Sequence, residues 1–169
     1  MTKSNMQTST LANYDIVNVV SLWNIDRIEI NVDNSKRRKR FNAEVLRRKE
    51  GVFLIFTSGK VIATGFKNVT LAGSILQEIY PERSVLFVKV CNITAHSFLP
   101  YSFDTKAMIA EYQDTTYEPE IYPAVYIKIE KVTLIYYTTG SVIITGAKDQ
   151  SQIESALTQF AIRTSLTRV

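Results

Sequence analysis

Residues 52–67 read VFLIFTSGKVIATGFK, and residues 133–148 read TLIYYTTGSVIITGAK, 81 positions later with no gap. Seven of the eleven positions from Thr57 to Lys67 are identical in the second copy: Thr57/Thr138, Gly59/Gly140, Val61/Val142, Ile62/Ile143, Thr64/Thr145, Gly65/Gly146 and Lys67/Lys148. The same offset sets Phe41 against Tyr122, while Asn18 in IVNVVS matches Asn92 in KVCNIT at a shorter one. The chain is therefore an internal repeat, and a repeat of this length signals a duplicated supersecondary unit. The expected organisation is a flexible tail over residues 1–12, a first repeat over 13–82 and a second over 83–169.

Each repeat reads as a strand, a variable segment, three strands and a helix. The β-branched and aromatic runs, broken by Gly, Ser and Lys, predict strands over 15–23, 41–48, 52–57 and 61–66, then over 86–95, 120–128, 133–138 and 142–145. Thr57-Ser58-Gly59-Lys60 and Thr138-Thr139-Gly140-Ser141 are hairpin turns. Helices are expected over 69–79, with Leu71, Ile75 and Ile79 as its apolar stripe, over 104–113, and over 151–163 with Ile153, Leu157 and Phe160 inward. Neither unit can easily bury its apolar face alone. Side by side, they can share one antiparallel sheet of about eight strands with the helices on one face. The fold class is α+β.

Side chains alternate along a strand, so each strand has a helix face and a second face. Asn18, Val20 and Leu22 share the second face with Leu54, Phe56, Ile62 and Thr64; the matching set is Asn92, Thr94, His96, Ile135, Tyr137, Ile143 and Thr145. Val19, Ile55, Val61 and Ala63 take the helix side. Uncovered sheet faces are normally polar, and this one is not. Either a further layer covers it, or it is an exposed apolar surface of the kind that marks a partner site. Three helices for eight strands favour the second reading.

Composition narrows the function classes. The 169 residues are 46% hydrophobic and 21% charged, with a formal charge of +4, which suits a globular chain and is compatible with nucleic acid. One cysteine (Cys91) and one histidine (His96) leave no intramolecular disulfide and nearly no zinc site. No cofactor is expected. No apolar run approaches the ~20 residues of a membrane span, so no membrane partner is expected. Paired carboxylates with histidine, a nucleophile motif and a phosphate-binding glycine loop are all absent from the sequence, so no enzyme chemistry is expected.

In order and spacing, IVNVVS, RFNAEVLR, LIFTSGKVIATGFK, YEPEIYPAVY and VIITGAK resemble the motifs of the core domain of TATA-binding proteins, over about residues 16–160. The resemblance implies a curved saddle with helices on its convex side. Its concave face would bind A·T-rich promoter DNA from the minor groove, bend it and nucleate the preinitiation complex. The base-contacting floor would be Asn18, Val20, Leu54, Ile62, Thr64, Asn92, Thr94, Ile135, Ile143 and Thr145. The residue types suit a groove that offers mainly acceptors: amides and hydroxyls can donate, and an apolar floor leaves guanine's amino group unpaired. The aromatic wedges would be Phe41, Phe56, Tyr122 and Tyr137, and the phosphate contacts Arg40, Arg47, Lys60, Lys67, Lys128 and Lys148. Glu118 and Glu120 match positions that dock transcription factor IIB. Implied partners are double-stranded promoter DNA, factors like transcription factors IIB and IIA, and TBP-associated factors. The implied location is the nucleus or a viral or host transcription compartment, and a homodimer of the DNA-free protein is left open. The run KRRKR at residues 36–40 also resembles a nuclear-localisation patch.

The chain departs from the family pattern in several places. Tyrosines replace the second-repeat wedges, and Ser141 replaces a hairpin lysine. The interval before Phe41 is too short and too polar for the family's extra helix. The turns near Glu50-Gly51 and Lys131-Val132 are shortened, and Asn42 and Glu44 fall on the helix side, which suggests a bulge or a shifted register. These departures keep a second expectation open: a family-like scaffold that has lost sequence-specific DNA binding and acts through protein partners.

Overall fold

A computed structural model describes residues 13–26, 43–99, 103–111, 115–118, 120 and 123–164. In chain order, its elements are β1 (Tyr14–Asn24), β2 (Ala43–Arg47), β3 (Val52–Phe56), β4 (Lys60–Phe66), α1 (Val69–Ile79), β5 (Leu86–Phe98), α2 (Thr105–Glu111), β6 (Thr115–Tyr117), β7 (Ala124–Ile129), β8 (Val132–Tyr137), β9 (Ser141–Ala147) and α3 (Gln150–Thr164). The strands form one sheet in the order β2-β3-β4-β1-β5-β9-β8-β7-β6, antiparallel at every junction. The short β6 is a ninth strand absent from the sequence expectation. It borders β7, which begins at Ala124 rather than near 120.

The two repeats meet at β1 and β5. Val19 lies opposite Ile93, Asn18 opposite Thr94, and Val20 opposite Asn92. Exchanging the repeats maps these pairs onto one another, so a local two-fold axis runs through the Val19–Ile93 pair. It also maps the Ile25 N–H bond to the Gly59 carbonyl onto the Leu99 N–H bond to the Gly140 carbonyl, both 2.8 Å.

Among the described residues, the three helices lie on one face. Under α1, a cluster gathers Trp23, Phe53, Ile55, Val61, Ala63, Phe66, Ala72 and Leu76. Under α2 and α3, a larger one gathers residues including Ile93, Ala95, Met108, Leu134, Tyr136, Ile144, Leu157 and Phe160. Phe103 packs edge-on against Tyr136 and Phe160, with ring centroids 5.4 and 5.5 Å away. The Tyr14 hydroxyl donates to Glu154 Oε1 at 3.2 Å, tying the first repeat's strand to the second repeat's helix. Burial, and then the Glu154 carboxylate, raise the Tyr14 pKa above its ordinary value.

Helix α3 buries Ile153, Leu157 and Phe160 as the spacing requires, but α1 corrects its predicted stripe. Its fully buried residues are Ala72 and Leu76, with Ile75 and Ile79 flanking and Leu71 exposed. The cause is Trp23, whose ring lies so close to α1 that a Cβ on Gly73 would fall 2.6 Å from it. Small residues face the sheet there, and small residues carry little hydropathy signal. Helix α1 is capped by Asn68, whose Oδ1 accepts from Leu71 N–H at 2.8 Å.

The odd placement of Glu44 has a simpler cause than the bulge or slipped register the sequence suggested. β2 pairs with β3 without interruption, Glu44 opposite Ile55 on the helix side. Glu44 is nonetheless exposed, as a side chain on an edge strand can be. Asn42 lies outside the described residues.

True bulges occur elsewhere. The β1–β4 register shifts between Val19 and Ser21, and the β5–β9 register between Ile93 and Ala95. The extra residues lie at Gly65 and Gly146, with φ of 87° and 95°, a region that L side chains rarely adopt. A Cβ on Gly146 would lie 2.6 Å from the Lys131 carbonyl oxygen, and one on Gly65 would lie 3.2 Å from Gly51 Cα. Gly146→Ala is therefore expected to destabilise the fold by about 1–3 kcal/mol, and Gly65→Ala by less. Urea unfolding midpoints of the two variants check both the size and the order.

Candidate nucleic-acid interface

The face opposite the helices contributes to neither core cluster. Asn18, Val20 and Leu22 on β1, Leu54 and Phe56 on β3, and Ile62 and Thr64 on β4 are each half-buried, as are Asn92, Thr94, His96, Ile135, Tyr137, Ile143 and Thr145 in the second repeat. Most of their neighbours along each strand are buried; Val17, Gly65, Cys91 and Gly146, which lie at the register shifts, are not. The strand pairing brings them together: Ile62 is opposite Leu54, and Ile143 opposite Ile135. Phe56 and Tyr137 sit at strand ends opposite Ala43 and Ala124. All ten floor positions chosen from the sequence thus share one surface with two of the four aromatic positions. Phe41, Tyr122 and Arg40 lie outside the described residues.

A backbone device holds the two asparagines. Gly65 N–H donates to Asn18 Oδ1 at 2.7 Å, and Gly146 N–H donates to Asn92 Oδ1 at 2.8 Å. A backbone N–H can only donate, so the side-chain atom facing it must be the carbonyl oxygen. Each amide nitrogen then turns away from its bulge toward the rest of the open face. The bulges thus convert two central asparagines into fixed hydrogen-bond donors.

The two halves differ in what surrounds that donor. In the second, Asn92 Nδ2 lies 3.3 Å from both Thr94 Oγ1 and Thr145 Oγ1, which are themselves 3.3 Å apart. In the first, Val20 stands where Thr94 does. Farther out, His96 Nε2 lies 2.8 Å from Ser141 Oγ, where the first half has Leu22 and Lys60.

Arg47 on β2 and Lys128 on β7 are exposed on the open side of matching strands, opposite Val52 and Thr133. Lys60 begins β4 opposite Asn24, and Lys67 and Lys148 follow the bulged strands; all three are exposed. Lys148 N–H donates to Gln152 Oε1 at 2.8 Å, which fixes the backbone entering α3. The adjoining Asp149 carboxyl is held below its usual pKa by the Ser151 hydroxyl and then by Gln152 N–H. Glu118 and Glu120 are exposed beside β6, away from the open face's centre.

Four open-face residues were missed by simple alternation or lie beyond the motifs. A register shift in the β1–β5 pairing places Lys89 opposite Leu22 and Asp15 opposite His96. Counted from Asn92 by twos, Lys89 would belong to the helix side; the extra residue at Cys91 moves it across. Phe98 is exposed opposite Ser141, and Tyr126 is exposed opposite Ile135. The sequence signal for Tyr126 is the 81-residue offset from Val45, itself exposed opposite Leu54.

An open antiparallel sheet of two matched halves, with helices on one side and amides set in an apolar floor on the other, defines a two-repeat saddle protein. A family model described as "Transcription factor TFIID (or TATA-binding protein, TBP)" matches residues 87–163. The chain is 30% identical over 164 residues to TATA-box-binding protein-like 1 of Entamoeba histolytica, covering 85% of this chain and 76% of that protein. It is 31% identical over 159 residues to TATA box-binding protein-like 2 of Rattus norvegicus, covering 82% of this chain and 46% of that protein, so it spans about half the length of that relative. Among solved structures, Methanococcus jannaschii TBP matches with a TM-score of 0.80 at 26% identity, covering 92% of this chain and 99% of that one. The chain belongs to the TATA-binding protein family.

Asn92→Leu removes the acceptor for Gly146 N–H and is expected to destabilise the protein by about 1–3 kcal/mol, the cost of an unsatisfied donor. Asn92→Asp keeps an acceptor there and should lose much less. Equilibrium unfolding of the two variants distinguishes the amide's structural role from its outward one.

Proposed function

We propose that this protein is a general transcription initiation factor that binds A·T-rich promoter DNA in the minor groove, bends it and nucleates assembly of the preinitiation complex. The observation that carries the reading is the open face itself: two amide donors, pinned from behind by Gly65 and Gly146, stand in an apolar floor beside the local two-fold axis. The minor groove of an A·T pair presents only acceptors, adenine N3 and thymine O2. Asn18 and Asn92 are the central donors, with Thr64, Thr94 and Thr145 beside them. Val20, Leu54, Ile62, Ile135 and Ile143 meet base edges that lack guanine's amino group, because that group would be buried without a partner.

Bending by inserted aromatic wedges is the family's known mode of action and is carried over from it; the positions are Phe41, Phe56, Tyr122 and Tyr137. Arg40, Arg47, Lys60, Lys67, Lys128 and Lys148 would grip phosphates along the rim. Glu118 and Glu120, exposed at the edge near β6, suit docking of a factor like transcription factor IIB, with a IIA-like factor and TBP-associated factors as further partners. The corresponding location is the nucleus, or a viral or host transcription compartment.

The direct test is a gel-shift comparison of an A·T-rich and a G·C-rich duplex of equal length. At least a tenfold preference for the A·T-rich duplex is expected; equal binding, or none to either, would leave only a protein-binding scaffold. Lys60→Ala should reduce the salt dependence of binding by about one phosphate contact, a change of ~0.9 in the slope of log K against log salt, with base preference unchanged. A changed preference would contradict the phosphate role.

A further inference from the structure

We infer that the open face is directional: the half of the DNA element under the second repeat accepts a G·C pair that the half under the first repeat rejects. The inference rests on the minor-groove reading above. It comes from comparing positions exchanged by the two-fold axis through Val19 and Ile93. Asn18 matches Asn92, each held by a glycine N–H, and Thr64 matches Thr145. Those elements are common to both halves. The residue beside the central asparagine is not: Val20 lies opposite Asn92, and Thr94 lies opposite Asn18.

A guanine in the minor groove adds one donor, its exocyclic amino group. Against Val20, that donor meets methyl groups and loses its hydrogen bond to water without replacement. Thr94 offers an oxygen instead, and its neighbours keep that oxygen adaptable. Its Oγ1 lies 3.3 Å from Asn92 Nδ2 and 3.3 Å from Thr145 Oγ1. A hydroxyl has one hydrogen and two lone pairs. With the Thr94 hydrogen directed to Thr145, Thr94 accepts from Asn92 and keeps a lone pair for guanine's amino group. The Thr145 hydrogen then remains available to a base acceptor. With the hydrogen bond reversed, Thr94 turns its own hydrogen outward to an acceptor, as an A·T pair requires. The pair of hydroxyls can therefore meet either base pair by rotating two O–H bonds.

The outer ends reinforce the direction. Beyond Val20 lie Leu22, Lys60 and Lys89, apolar and cationic. Beyond Thr94 lie His96, hydrogen-bonded to Ser141, and Asp15. The first repeat has the stronger grip on phosphate and the stricter floor. An asymmetric element should seat its uninterrupted A·T half there.

The test uses the full chain and a palindromic A·T duplex, which presents the same half-element to both repeats. One G·C pair is moved across one half-element, position by position, and then placed in both halves at symmetric positions. At the position where paired substitution costs most, a single G·C should weaken binding no more than about threefold, because the complex turns to place it under Thr94. The double substitution should cost at least tenfold, and replacing guanine by inosine, which lacks the amino group, should restore binding. Thr94→Val should raise the single-substitution cost to at least tenfold, and Val20→Thr should relieve the double one. A single guanine already costing tenfold, a double one costing no more than a single, no rescue by inosine, or an unaltered pattern in Thr94→Val would each overturn the inference. If the all-A·T palindrome binds no better than a G·C-rich duplex, the minor-groove reading itself fails instead.

Discussion

The pairing of β1 with β5, centred on Val19 and Ile93, is the constraint on which the molecule depends. Without it, each repeat would be a half-sheet with an unpaired central strand and a helix layer too small to bury a separate core. With it, the sheet is continuous, and the backbone hydrogen-bonding capacity of both central strands is used. The two apolar clusters lie side by side on one face. Because all three helices are committed to that face, the other remains uncovered along its length, among the described residues.

An uncovered apolar surface is a liability unless something gives it structure, and the bulges at Gly65 and Gly146 do so. Each places a backbone N–H where it can hold an asparagine from behind. The amide is fixed without help from solvent, and its donor side is set before any ligand arrives. Such preorganisation reduces the ordering cost of binding. The left-handed backbone at these glycines, the register shifts and the two asparagines form a single device, used twice.

The duplication has not kept the halves equal. Asn92, Thr94 and Thr145, and separately His96 and Ser141, give one half two hydrogen-bonded groups of side chains, while Val20, Leu22 and Lys60 keep the other apolar and cationic. The symmetry holds in the β1–β5 pairing around Val19 and Ile93 and in the two glycine bulges, and it is loose among the side chains of the open face.

Much of this was legible in the sequence. The 81-residue offset, the two hairpins, the bounds of α1 and the division into two faces of β3, β4, β8, β9 and of β1 from Asn18 onward all follow from local pattern. Alternation and turn chemistry act over a few residues, and repetition makes each reading twice. Other features needed the tertiary structure. A bulge at Cys91 carries Lys89 to the open face because one extra residue inverts the side chains that follow until the next register shift, and alternation cannot register that. The buried side of α1 was set by a tryptophan on another strand, which selected Ala72 and Gly73 where the apolar stripe pointed to Leu71. Strand β6 is three residues long and exists by pairing with β7. The orientation of the Asn18 and Asn92 amides was decided by glycines 47 and 54 residues away, through contacts that form only once the chain is folded.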